Sequence, residues 1–164
     1  KTYAQFETHI ESVEKWLWGK QFPVQAKWRD QQWKTYQKNG YLENTTGFRI
    51  EGPMTRNFAY NCCIQGPAYH CQQYVFNHIS QLVEERKMKS VLLFQIHDAL
   101  YMSIDPEEEA ILDYYVWYYG TQKIKEDWPW LIVNLQYEKD AGLVDADWST
   151  LKGCGYLTEN GPVK

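Results

Sequence analysis

Apolar and polar positions recur with two different periods along this chain, and these periods divide it into helical and extended segments. In residues 3–20 apolar side chains recur every three or four positions, which predicts an amphipathic helix. They are Phe6, Ile10, Val13 and Leu17. A second helix is predicted from Pro23, which suits a first helical turn, to Asn39, with Gly40 as its C-terminal stop.

The middle of the chain is predicted to be a short extended pair followed by a long helix. Residues 41–50 have a turn signal at Gly47 between two short extended runs. Pro53 ends that segment. From Arg56 to Glu85 the pattern is helical and largely apolar, and Gly66-Pro67 is predicted to interrupt it.

Two apolar runs flank the polar step His97-Asp98. Val91–Ile96 is predicted to be a buried strand, and Leu100–Ile104 alternates as a second strand, so the pair predicts a hairpin. A two-residue turn usually contains Asn-Gly or Asp-Gly, because those residues tolerate positive φ. His97-Asp98 instead places an ionisable carboxylate at the tip of a rigid support, which is a suitable position for a metal ligand.

The last third of the chain gives weaker signals. Asp105-Pro106, followed by three glutamates, predicts a helix start in which the aspartate caps and the acids complement the helix dipole. Leu131–Tyr137 is predicted to be a further strand. Residues 138–164 contain four glycines and no sustained period, and are predicted to be irregular. Without repeats or a linker, the chain is predicted to be one structural unit of the α+β class.

The composition is that of a soluble globular protein, with 44% apolar and 23% charged residues. No signal peptide or membrane-length apolar run occurs, so we expect a cytoplasmic protein without membrane contact. The four cysteines lack the paired CxxC spacing of a zinc site, and the three in the predicted long helix are predicted to be buried thiols. Eight Trp and thirteen Tyr predict either amphipathic packing or an aromatic surface that faces a partner.

The net charge of −4 is unevenly distributed. Residues 1–60 have a net charge of +3, and residues 61–164 a net charge of −7. A protein that only gripped nucleic acid would be basic overall. The acidic part is compatible with metal binding or with a surface that avoids phosphate.

Three segments resemble, in chain order, the motifs of one enzyme family. Gly40–Arg49, GYLENTTGFR, is similar to the GYVxTxxGRR segment of family A DNA polymerases. Asn61–Ala68, NCCIQGPA, resembles the NxPIQGTAAD helix. Gln95–Ala99, QIHDA, resembles the QVHDE hairpin that forms the third catalytic motif. Their divergence suggests a phage-like member.

The resemblance implies a polymerase palm fold, in which an antiparallel sheet with the His-Asp hairpin packs on long helices. Residues 1–40 would be the helical end of the fingers subdomain, and residues 41–164 the C-terminal half of the palm. The implied activity is template-directed nucleotidyl transfer to a primer 3′ end. The implied partners are primer-template DNA, a dNTP and an N-terminal polymerase portion.

Individual roles follow from the same resemblance. Asp98 would be a catalytic residue and a ligand of the two Mg²⁺ ions, and His97 a catalytic residue near the primer terminus. The positions implied to contact nucleic acid are Gln65, Asn61, Arg49, Arg56 and Gln95. Two Mg²⁺ ions about 3.5–4 Å apart stabilise the attacking and leaving oxygens of such a transfer. An amide such as Gln65 can touch minor-groove acceptors without reading sequence.

The chain also departs from the family pattern. Ala99 stands where the family usually has Glu, and Phe48 replaces the first Arg of GRR. Asn57 stands where an Arg is common, with Arg56 beside it as a substitute. The DxSxxE motif and the nucleotide-binding O helix do not occur upstream of Tyr41, so a second carboxylate must come from outside this sequence. Asp145–Ser149 superficially resembles DxSxxE, but it follows the hairpin and is predicted to be a closing strand or loop.

Two alternatives remain open. The first is a non-catalytic, palm-derived subunit that binds nucleic acid or acts as a scaffold, which the loss of the acid at Ala99 favours. The second is a relative of the single-subunit RNA polymerases, whose hairpin also has His-Asp followed by a non-acid. The segment from Asn61 to Gly66 favours the DNA enzyme.

Overall fold

The computed structural model describes residues 2–143 and 145–163, which form an α+β protein with small antiparallel sheets. The helices are α1 (Tyr3–Trp16), α2 (Pro23–Asn39), α3 (Arg56–Glu85), α4 (Glu109–Trp117) and α5 (Ile124–Asp127). The strands are β1 (Tyr41–Glu43), β2 (Arg49–Glu51), β3 (Val91–Ile96), β4 (Ala99–Ser103), β5 (Glu138–Ala141), β6 (Lys152–Thr158) and β7 (Gly161–Val163). The predicted α+β class is confirmed at this coarse level.

The chain divides into two compact units, one ending at Gly66 and the other beginning at Pro67. The prediction of a single structural unit was therefore wrong. The division comes later than the predicted limit between fingers and palm at residue 40. That limit concerns polymerase subdomains and stays a prediction.

The first unit begins with the two predicted helices. A capping box starts α1, in which the Gln5 N–H donates to Thr2 Oγ1 and the Thr2 N–H donates to Gln5 Oε1. A π-helical segment, Leu17–Gln21, follows α1. Gly40 ends α2 with a φ of 77°, in the left-handed region that the sequence pattern assigned to it.

Strands β1 and β2 form the predicted extended pair, with Leu42 opposite Ile50. The Asn44 side chain stabilises the connecting loop, because its Oδ1 accepts from the Thr46 N–H at 3.0 Å and the Phe48 N–H at 3.1 Å. The buried apolar residues of this unit are Leu42, Ala59 and Tyr60. This small core is formed by β1 and the first turns of α3.

Helix α3 does not break where the sequence predicted. It runs from Arg56 to Glu85 with Pro67 inside it. A proline lacks the N–H that would donate to the carbonyl of Cys63, so one hydrogen bond of the ladder is lost. Later turns of the helix bury Val75 and Ile79 completely. We attribute the continuity to this packing, which outweighs the loss of one bond.

The second unit has its main core between α3, α4 and the β3–β4 hairpin. Five buried residues form its centre: Val75, Ile79, Leu82, Leu112 and Val116. Four side chains of the hairpin and its exit pack against them: Leu92, Leu100, Met102 and Ile104. The strands pair with an irregularity between Leu92 and Phe94. The predicted hairpin is confirmed.

The prediction that Val91–Ile96 is a buried strand was wrong. Val91, Leu93, Phe94 and Ile96 are all substantially exposed. The hairpin is a two-stranded sheet, so packing on the core covers only one of its faces. A continuous apolar run is typical of a strand covered on both faces, and in β3 the second cover is absent from the described part of the chain.

Three predictions for the last third of the chain were also wrong. Residues 138–163 contain a three-stranded antiparallel sheet in the order β5-β6-β7 rather than an irregular segment. Leu131–Tyr137 is not a strand; instead, Leu131 is buried in a second core cluster with Cys71 and Ile124. Helix α4 begins at Glu109 rather than near Asp105, whose carboxylate instead accepts from the Glu107 N–H.

Candidate functional site

The His97-Asp98 turn lies at the tip of the hairpin, between the paired residues Ile96 and Ala99. His97 has a φ of 51°, a region that non-glycine residues rarely occupy. The Gln95 Nε2 donates to the His97 carbonyl at 3.2 Å. The side chains of His97 and Asp98 are exposed. The turn therefore presents an imidazole and a carboxylate to the surroundings from a position that the strands fix.

Gln95 has a second, unusual property. Its Oε1 is buried and has no hydrogen-bond partner among the described residues. A buried carbonyl oxygen without a donor costs free energy, on the order of 1–3 kcal/mol. Next to the turn, the strand thus holds a polar atom that a donor from outside the described chain could satisfy.

The base of the hairpin is fixed by the segment that follows it. Glu108 accepts hydrogen bonds from the N–H groups of Lys89 and Ser90, at 2.9 and 2.8 Å. The Ser90 hydroxyl accepts from the Asp105 N–H at 2.9 Å, which joins the entrance of β3 to the exit of β4. These bonds hold both strands at the end opposite the turn.

The outer face of the hairpin is apolar and incompletely covered. Trp148, in a short 3₁₀ segment, contacts Tyr101 edge-on with ring centroids 4.6 Å apart, and Tyr101 contacts Phe94 at 4.8 Å. Leu93 is 54% exposed. Among the described strands β3 pairs only with β4, so its other backbone edge has no strand partner.

A groove of about 390 Å³ lies between the end of α3 and the start of β3. Apolar side chains of Val83, Met88 and Leu92 form part of its wall, and Glu84 and Lys87 supply opposite charges. The groove also contacts Val91, at the start of the strand with the open edge. A peptide segment beside that strand could therefore place a side chain in the groove.

The residues implied to hold Mg²⁺ do not form a complete site. Within residues 2–143 and 145–163 no group of three or more His, Cys, Asp or Glu side chains could hold a metal ion. Asp98 offers one exposed carboxylate, and Ala99 offers none. Burial raises the pKa of the Cys62, Cys63 and Cys71 thiols, which opposes the thiolate form that metals require.

The two arginines implied to contact nucleic acid already have partners in the first unit. The Arg49 guanidinium lies 4.1 Å from the ring centroid of Tyr41 and 4.0 Å from the Glu51 carboxylate. Arg56 donates to Asp30 through Nη2 and to Tyr60 through Nε. These contacts, the Tyr60 hydrogen bond foremost, raise the pKa of Arg56. Both guanidiniums are half exposed and keep further donors for a phosphate.

Asn61 and Gln65 are both exposed on α3. Their spacing of four residues places them one turn apart on the same face of the helix. At the end of this stretch, Gly66 lies against Asn44, because a Cβ at Gly66 would lie 3.0 Å from Asn44 Nδ2. The helix therefore presents two amides in a row beside the loop between β1 and β2.

The predicted site residues fall into two sets, which belong to different compact units. The first unit contains Arg49, Arg56, Asn61 and Gln65. The second unit brings Gln95, His97 and Asp98 together at one hairpin tip.

The sequence patterns did not identify several residues that shape these sites. The pairing of Arg56 with Tyr60 could have been found, because a spacing of four residues in a helix brings side chains together. Glu108 was interpreted only as an acid that complements a helix dipole. No local signal links Trp148 to Phe94 and Tyr101, since more than 40 positions separate it from either residue.

No family model, curated protein or solved structure matches this chain. Across the described residues no helix combines the length and the apolar character needed to cross a membrane.

Proposed function

We propose that this chain is the C-terminal palm portion of a family A DNA polymerase, and that it works with an N-terminal polymerase portion. In this proposal Asp98 is one carboxylate of a site that a second carboxylate from the other portion completes. His97 lies beside the primer terminus. The assembled enzyme extends a primer on a DNA template.

The observation that carries the proposal is the incomplete hairpin tip. An exposed aspartate stands on a firmly held turn, beside a strand with an open edge and an exposed apolar face. The orphaned Oε1 of Gln95 and the groove next to β3 are further groups that another segment could satisfy. All five features favour a strand supplied from outside the described chain, which is the position that the proposed partner would fill.

The first unit supports the second part of the proposal, contact with primer-template DNA. Asn61 and Gln65 offer amide donors in a row, and such donors can reach minor-groove acceptors of any base pair. Arg49 and Arg56 offer half-exposed guanidiniums for backbone phosphates. A surface of this kind fits a duplex that is gripped without reading its sequence.

The proposed magnesium site requires a partner. Mg²⁺ is commonly bound by one or two carboxylates together with waters and substrate phosphates, and this chain supplies one of those carboxylates. The described residues alone do not form a site that holds the ions, so the second portion would have to supply the remaining carboxylate. Asp98 and the fixed turn contribute a positioned anionic oxygen.

The experiment is a reconstitution. The 164-residue chain is mixed with a polypeptide that carries a family A DxSxxE strand and O helix, and primer extension is measured with Mg²⁺. We expect extension only from the mixture. Asp98→Asn should lower it by at least about a thousandfold, because the amide keeps the shape of the side chain and removes its charge.

Asp140→Asn is the matched control, since Asp140 is also an exposed aspartate of the second unit. It should extend primers at the parent rate. Near-normal extension by Asp98→Asn in the mixture would contradict the catalytic role, and extension by the 164-residue chain alone would contradict the need for a partner.

A specific observation favours the alternative function, a non-catalytic subunit that binds duplex DNA. Ala99 removes the second acid of the turn, and among the described residues Asp98 belongs to no metal-binding group of three or more His, Cys, Asp or Glu side chains. This alternative predicts duplex binding that Asp98→Asn leaves unchanged, together with no extension in any mixture. A duplex-binding titration run beside the extension assay therefore separates the two functions.

A further inference from the structure

Helix α1 forms without burying any residue in the described chain. Its N-terminus is capped, because the capping box provides hydrogen-bond acceptors for N–H groups of the first turn. Its length of 14 residues is close to the limit at which an isolated helix is marginal in water. Most helices of that length are stabilised by packing of an apolar face, so this helix lacks its usual source of stability.

The apolar face of α1 is well defined and exposed. Phe6, Ile10 and Val13 follow one another at spacings of four and three residues and are 56%, 42% and 43% exposed. Tyr3 and Trp16 extend the same face toward the two ends of the helix. We call this set the α1 stripe.

Acidic residues run along one side of the α1 stripe only. Glu7, Glu11 and Glu14 recur at spacings of four and three residues and, at 100° per residue, lie next to Tyr3 and Ile10. We call them the glutamate row. The other side of the stripe holds Gln5 and His9 instead. The face is therefore lopsided in charge, with three carboxylates along one edge.

We propose that the α1 stripe and glutamate row dock an amphipathic helix of a partner protein, and that this helix has Lys or Arg along one side of its apolar face. The apolar contact supplies the affinity, because it removes exposed aromatic and aliphatic surface from water. The glutamate row selects a basic partner and fixes its direction. This inference goes beyond the proposed function, since it does not depend on polymerase activity.

Charge argues against a second copy of this chain packed antiparallel on the α1 stripe. If two α1 helices packed face to face in antiparallel orientation, equivalent edges would meet, and the two glutamate rows would lie side by side. Like charges at that spacing are destabilising. A partner with lysines on the corresponding edge replaces that repulsion by ion pairs.

The test uses the full 164-residue chain and two synthetic helical peptides of about 18 residues. Both peptides have the same leucine stripe; one has lysines along a single edge, and the other has glutamates in the same places. Binding is followed by fluorescence anisotropy at low salt. We expect the lysine peptide to bind at least about tenfold more tightly, as a few exposed ion pairs allow. About 1 M salt should remove most of that preference.

Variants of the chain test separately the contributions of the α1 stripe and of the glutamate row to peptide binding. Ile10→Gln should abolish the binding of both peptides, and Phe6→Gln gives a second test if the first variant loses helix content by circular dichroism. Replacement of Glu7, Glu11 and Glu14 by Gln should remove the preference and keep apolar binding. Thr8→Gln, on the opposite side of α1, is the control and should change neither.

Three results would overturn the proposal. The first two are equal affinity for the two peptides and binding that survives both apolar substitutions. The third is a concentration-dependent dimer of the chain that Ile10→Gln disrupts, which would assign the α1 stripe to a second copy.

Discussion

Glu108 accepts two hydrogen bonds from Ser90, one from its N–H at 2.8 Å and one from its hydroxyl at 2.6 Å. Ser90 is almost completely buried, and Glu108 immediately precedes α4. The contact therefore joins the residue before the hairpin to the helix after it. The Ser90 hydroxyl, followed by the Lys89 N–H, holds the pKa of Glu108 below its ordinary value.

We predict that Glu108→Gln destabilises the chain most at neutral pH. A carboxylate with a lowered folded pKa stabilises the protein above its unfolded pKa, and this stabilisation is lost as the pH falls through the folded value. The difference between parent and variant in free energy of unfolding, measured by urea denaturation between about pH 7 and pH 3, should shrink in acid. Glu159→Gln, at an exposed position, is the control. A difference that is constant across the pH range would contradict the role of the charge.

We predict different effects for alanine at two glycines in π-helical segments, Gly120 in Tyr118–Lys123 and Gly19 in Leu17–Gln21. Gly120 is buried, and a Cβ there would overlap the ring of Tyr137. Gly120→Ala should lower the free energy of unfolding by about 1–3 kcal/mol, as overpacking does. Around Gly19, no described atom would lie within 4 Å of a Cβ, so Gly19→Ala should be neutral or slightly stabilising. Thermal melts of the two variants test this comparison directly.

We predict that Lys139 is required for stability because it neutralises a buried carboxylate. Its Nζ lies 2.7 Å from Asp113 Oδ2, and the two side chains are only 10% and 8% exposed. Burial works to lower the pKa of Lys139, but the hydrogen bonds to Asp113 and Glu109 raise it overall. Lys139→Met should lower the free energy of unfolding by about 3–5 kcal/mol, because Asp113 would be left buried without its partner.

A double substitution is the control for Lys139. Lys139→Met combined with Asp113→Leu should recover most of the stability, since an apolar pair of similar volume can replace a buried ion pair. Lys123→Met, which breaks a more exposed ion pair with Asp127, should have a much smaller effect. If the double variant were as unstable as the single one, loss of packing rather than of charge would explain the result.

The fourth prediction depends on the proposed function. Gln65→Ala should weaken extension from matched primer termini in the reconstituted mixture and reduce its sensitivity to a terminal mismatch, because the amide tests minor-groove geometry. Gln81→Ala, an exposed glutamine on the same helix, should leave both quantities unchanged. An altered melting temperature with normal DNA affinity and mismatch response would assign Gln65 a structural role instead.

Local sequence patterns predicted correctly those helices and strands whose ends depend on residues within the same short stretch. Gly40 ended α2 as predicted, because its left-handed conformation is a property of glycine itself. The hairpin was predicted correctly because two apolar runs flank a short polar step. The role of Glu108 could not be predicted, since its partner Ser90 is 18 positions away and no periodicity links the two.

The three-stranded sheet at the end of the chain shows a different reason for failure. Gly153 and Gly155 lie within β6, where glycine gives no strand signal. The pairing of β6 with β5 and β7 stabilises this segment, and pairing is not encoded in any one stretch. For the candidate site, the sequence predicted which residues take part but not their exposure or their contacts. The exposure of β3 and the partners of Arg56 depend on packing that the sequence pattern does not contain.

The left-handed backbone of His97 affects which substitutions natural selection for stability would favour at this position. A left-handed conformation costs an L-residue about 1–2 kcal/mol, and a glycine at the same position would avoid that cost. Single mutations toward glycine or asparagine are thus favoured by stability alone. In a lineage in which the imidazole had no task, the turn would be expected to lose its histidine over time, and sampling of natural variants would reveal that loss.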